Sequence, residues 1–98
     1  MLHIINKSPL EKNSLDTCLG VAQDGGIVLL IEDAVYAATR GNASEAKLRT
    51  AQDRLKICVL APDLEARGMA DRLIEGVSSV DYGGFVDLAA EHKSQSWL

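Results

Sequence analysis

The segments Ile27-Val28-Leu29-Leu30-Ile31 and Leu55 to Ala61 (LKICVLA) limit the fold more than any other feature of the chain. The first is a continuous, β-branched-rich run with no polar alternation, the pattern of a strand covered on both faces. Leu2 to Asn6 is a shorter run stopped by Lys7-Ser8-Pro9, and Val77 to Asp81 is a weaker fourth. Helical stretches fill the intervals. Leu15, Cys18, Leu19 and Ala22 fall at i, i+3, i+4 and i+7, one apolar face of a helix that Asn13 is placed to cap and Asp24-Gly25-Gly26 ends. A short helix is expected over Ala34 to Thr39, then a polar, partly helical segment to Asp53. Another helix starts at Pro62-Asp63 and stops near Gly68, Met69 to Glu75 adds a turn or two, and Tyr82 to His92 closes the series before a tail, Lys93 to Leu98.

Strand and helix alternate throughout, which implies a mainly parallel sheet with right-handed crossovers. The expectation is a single α/β domain over residues 1–98, three-layered α/β/α, with four to five strands. A chain of 98 residues buries only roughly 60 to 65% of the surface its unfolded form exposes, so partner subunits are expected to add stability.

Ten Lys and Arg against fourteen Asp and Glu give a net charge of -4. No basic run tracks a phosphate backbone, so direct nucleic-acid binding is not expected. The N-terminal apolar stretch lacks a basic leader, and no run approaches the ~20 residues of a membrane span. A soluble, cytoplasmic chain is expected, with Cys18 and Cys58 as two free thiols.

Neither a dinucleotide fingerprint nor a P-loop occurs, and Gly25-Gly26 precedes its strand, the wrong end for a phosphate cradle. The carboxyl ends of the strands are the place to look for a site. They carry Lys7-Ser8-Pro9, Glu32-Asp33, Pro62-Asp63 and Asp81-Tyr82. Asp33 and Asp63 suit a divalent cation or a phospho-receiver, but each also stands where a helix cap or first-turn acid belongs. His3 and His92 lack neighbours at metal-ligand spacing, and no cofactor or metal is expected. Asn42-Ala43-Ser44 has the form of a glycosylation triplet, which a cytoplasmic chain would not use.

Cys58 sits in a strand buried on both sides and reads as a small hydrophobe. Cys18 shares the Leu15/Leu19/Ala22 stripe, lies beyond the first helical turn and has no cation at i±3 or i±4, so local sequence supplies no means of lowering its pKa.

The segments LHIINKSP, VLLIEDAVYAA (28–38), VLAPDLEARGM (59–69), VDYGGFVDL (80–88) and the terminal SWL resemble the DsrH/TusB family of small sulfur-relay subunits, in order and nearly end to end. The resemblance implies a DsrE/F/H-like α/β subunit that joins DsrE/TusD-like and DsrF/TusC-like paralogues in a heterohexamer and exchanges persulfide sulfur with a DsrC/TusE-like carrier. The principal persulfide cysteine is then on the DsrE/TusD partner. The context NSLDTCL (13–19) is more similar to DsrH-type members of sulfur-oxidation complexes, and on that ground Cys18 is a candidate persulfide carrier. The alternatives are a TusB-type subunit of the relay for tRNA wobble-uridine thiolation, or a purely structural subunit of either complex with Cys18 as core.

Overall fold

The computed structural model describes residues 1–97; the last residue of the SWL motif, Leu98, lies outside them. Five strands form one sheet: β1 (Leu2–Ile5), β2 (Ile27–Leu30), β3 (Lys56–Leu60), β4 (Ser78–Val80) and β5 (Ser94–Trp97). Every pairing is parallel, and the order is β4-β3-β2-β1-β5. The α/β class, the parallel sheet and the strand number agree with the expectation from sequence.

The layers follow from the handedness of the crossovers. From β1 to β4 each connection moves one strand in the same direction, so right-handed crossovers put all their helices on one face. These are α1 (Ser14–Val21), a 3-10 helix over Glu32–Ala38, α2 (Glu45–Ala51), α3 (Ala61–Ala66) and a single 3-10 turn at Ala70–Arg72. The step from β4 back to β5 runs the other way, and its helix, α4 (Tyr82–Glu91), covers the opposite face alone.

Two cores of unequal size result. The larger holds Ile5, Leu15, Cys18, Val28, Leu30, Leu48, Ile57, Val59 and their neighbours. The smaller holds Leu2, Ile27, Leu29 and Cys58, with Ile4, Ile31, Phe85 and Leu88 only partly covered. Residues of β2 alternate between the two cores, which accounts for its unbroken apolar run.

The tail over Lys93 to Leu98 is corrected by the structure. Residues 94–97 form β5, in register with β1 from Leu2↔Ser94 to Ile5↔Trp97. Ser94-Gln95-Ser96 carries no apolar signal because β5 is an edge strand exposed over most of its length. The short helix after β2 is 3-10 and begins at Glu32 rather than Ala34. Asp81, taken as strand, instead caps α4: its Oδ1 accepts from Gly84 N at 2.7 Å. Asn13 does precede α1, but its side chain makes no capping bond.

Candidate functional site

Cys18 lies in the middle of α1, on the face that packs against the sheet. The thiol is 0% exposed and belongs to the larger core. Loss of hydration disfavours the thiolate and pushes its pKa up to about 11, with the Arg54 guanidinium pulling weakly the other way. That cation was invisible from α1 alone, since it enters from the loop before β3. Arg54 Nη1 donates to Ala22 O at 2.6 Å and Nη2 donates to Leu19 O, so the guanidinium satisfies carbonyls at the C-terminal end of α1. A groove of about 670 Å³ runs between α1 and α2, bordered by Asp16, Leu19, Lys47 and Arg54. Half-buried Leu19 borders that groove while Cys18 does not. The ion pair between Lys47 and Asp16 ties the two helices together.

Cys58 is equally sealed, and burial raises its pKa too. It faces the smaller core, so the sheet separates it from Cys18; both thiols are free.

At the carboxyl ends of β2 and β3 the acids serve a latch. Glu32 has φ of 51°, a left-handed conformation costly for a side-chain-bearing residue. Its backbone N–H donates to Asp63 Oδ2 at 2.6 Å. Arg67 donates through Nε and Nη2 to Asp33 Oδ1 at 3.0 and 2.9 Å, and through Nη1 to Asp63 O at 3.1 Å. The DLEARG segment thus holds the turn after β2. Asp33 and Asp63 stand in first turns as expected, but their partners lie across the fold rather than in their own helices. Among the described residues no group of three or more His, Cys, Asp or Glu is arranged to hold a metal ion. Asn42 is also engaged in structure: its Nδ2 donates to Tyr36 O at 3.0 Å and its Oδ1 accepts from Ser44 N at 2.6 Å.

The two histidines are far from equivalent. His92 follows α4 and is half-buried, whereas His3 on β1 is 5% exposed and accepts at Nδ1 from Trp97 Nε1 at 3.2 Å. His3 borders a cleft of about 440 Å³ at the amino ends of the strands, shared with Met1, Gln95 and the Gly25-Gly26 turn. Gly25 has φ of 86°, and a Cβ on Gly26 would stand 3.0 Å from Gln23 O, so the turn uses both glycines for backbone geometry. The rule that sites lie at carboxyl ends passed over this cleft. Its signal was the pairing of His3 with Trp97, which only the β1/β5 register brings together.

Comparison with known proteins bears on the fold and on the family. The crystal structure of the ychN protein from E. coli superposes with a TM-score of 0.81 at 21% identity, covering 97% of each chain. The structure of a protein of unknown function from Methanobacterium thermoautotrophicum gives 0.71 at 20% identity, over 97% of this chain and 95% of that one. Both similarities concern the fold. Protein TusB of Pectobacterium parmentieri and protein TusB of Escherichia coli O81 (strain ED1a) are each 37% identical over 95 residues, covering 97% of both chains. These relatives favour the TusB side of the resemblance over the DsrH side that the context of Cys18 had suggested. A family model described as DsrH like protein matches residues 7–95. With that match and relatives at this identity over nearly their whole length, the chain belongs to the DsrH/TusB family.

Proposed function

We propose that this chain is a single-domain, TusB-type subunit of a cytoplasmic sulfur-relay complex, in which it shapes the assembly while a partner carries the sulfur. The reading rests on one observation above the others: in a chain that aligns end to end with proteins named TusB, both thiols are sealed in the core. Persulfide exchange needs a thiolate that a sulfur donor can reach. Neither cysteine meets that need in this conformation.

The partner-facing surface is the incompletely covered side of the sheet. Tyr82 and Val86 of α4 are 60% and 65% exposed, next to half-buried Phe85 and Leu88. Exposed apolar side chains one turn apart on α4 suit burial against a paralogous subunit. Among the described residues no helix is long and apolar enough to cross a membrane.

Co-expression with a DsrE/TusD-like and a DsrF/TusC-like paralogue tests the proposal, followed by sizing and persulfide mapping by mass spectrometry. The expected result is one complex, sulfur on a partner cysteine, and unchanged 2-thiouridine formation when Cys18→Ala is incorporated. Gain of one sulfur atom on Cys18 of the folded complex, with loss of relay in Cys18→Ala, would instead make this chain a carrier. Support of sulfur oxidation but not of 2-thiouridine formation would return the assignment to the DsrH branch.

A further inference from the structure

We infer that two copies of this chain dock about a two-fold axis, each placing Leu10 in the cavity beside the other's Leu10. Leu10 is 93% exposed, more than any other large apolar side chain among the described residues. A lone exposed leucine carries no meaning by itself, but this one is held out by structure. The carbonyl of buried Ser8 accepts from Glu11 N at 3.0 Å and Lys12 N at 3.1 Å, and its Oγ accepts from Leu10 N at 3.2 Å. Pro9, with its fixed φ, stands inside that turn. The loop between β1 and α1 is therefore formed before any contact, and its apolar tip docks with little ordering cost.

The cavity beside the tip has a volume of about 190 Å³ and is lined by Pro9, Tyr36, Ala43 and Ser44, together with Asp16 and Lys47. Sites for small-molecule ligands run from roughly 300 Å³ upward, so this one has room for a single side chain. Charge selects the occupant. Glu11 and Lys12, next to Leu10 in the chain, are exposed and form no ion pair among the described residues. The cavity presents Lys47 and Asp16, paired to each other yet each with hydrogen-bonding capacity left. A loop that enters with Leu10 brings Glu11 to a cation and Lys12 to an anion, and this chain's own loop has that pattern. Because tip and cavity adjoin on one surface, a two-fold rotation exchanges them and makes the contact twice. The surface belongs to the α1 and α2 side of the sheet, so α4 on the opposite face stays open to a paralogue.

The inference does not depend on the sulfur-relay reading, and its test uses the isolated chain. Sedimentation equilibrium up to about 1 mM is expected to show a dimer with a dissociation constant of about 100 µM, weak because the contact is small. Leu10→Asp should weaken it by about tenfold or more. The melting temperature of the dilute variant should not change, since this side chain touches little of its own chain. Glu11→Lys should weaken the dimer about fivefold at low salt, and by less as salt screens the pairs. Amide NMR shifts on dilution should fall on residues 8–12, 36 and 42–47. A chain that stays monomeric, as it would were a paralogue the occupant, a dimer indifferent to Leu10→Asp, or dilution shifts confined to α4 would each overturn the docking.

Discussion

Arg54 and Ala22, separated by 32 positions in sequence, are joined by a 2.6 Å hydrogen bond from the guanidinium to the carbonyl at the end of α1. The last carbonyls of a helix have no partner within it, and here a charged donor from another loop supplies one. Arg54→Ala is therefore expected to lower stability by about 2 kcal/mol, the order found for a partly buried hydrogen bond to a charged group. Urea unfolding measures that loss. Because α1 also carries Cys18, alkylation of that thiol by iodoacetamide should speed up in the variant. Removing the cation makes the thiolate harder to form, but easier opening of the helix end outweighs it, since access limits the reaction.

The wild-type chain should be inert to thiol reagents while folded. A pKa near 11 leaves about one thiolate in a thousand at pH 8, and the side chain is closed to solvent. Both cysteines should react with Ellman's reagent only after urea is added. Cys18→Ala should cost about 1 kcal/mol, whereas Cys18→Ser should cost about 2 because it leaves a hydroxyl buried without a partner. A Cys18 that reacts at once in folded protein would remove the basis for a scaffold role.

The latch after β2 predicts an unusual stabilising change. Glu32→Gly removes the penalty of a left-handed backbone and should raise stability by about 1 kcal/mol. Arg67→Ala releases Asp33 and the Asp63 carbonyl and should lower it by about 1 kcal/mol. Lysine at position 67 should recover little, because it lacks the planar fork that bonds both at once. Thermal melts of the three variants check this.

His3 makes stability depend on pH with a definite sign. Burial, and secondarily the Met1 amino charge, lowers its pKa in the folded protein below the 6.5 of the unfolded chain. The unfolded state therefore takes up a proton first on acidification. Stability is full above pH 6.5 and falls as pH drops through 6.5 toward the folded value, where the Trp97 bond breaks. His3→Gln keeps an acceptor for the indole but cannot titrate, so the difference in urea midpoint between the two proteins should change between pH 7.5 and 5. A constant difference would show that His3 does not carry this dependence.

The sequence by itself determined the sheet and the chemistry available to it. Unbroken apolar runs at 27–31 and 57–61 suit a strand buried on both faces, and their alternation with helical faces leaves little but a parallel α/β fold. Periodicity also put Cys18 on the buried face of α1, where the structure has it. Only the tertiary structure decided what reaches across the chain. β5 escaped notice because an edge strand is held by backbone pairing to β1 and needs no apolar side chains. Arg54 on Leu19, Asp63 on Glu32 and Trp97 on His3 are contacts between segments more than thirty residues apart. Spacing along the sequence records what shares a face of one element. What meets between elements depends on crossover handedness and strand register, and these are properties of the assembled sheet.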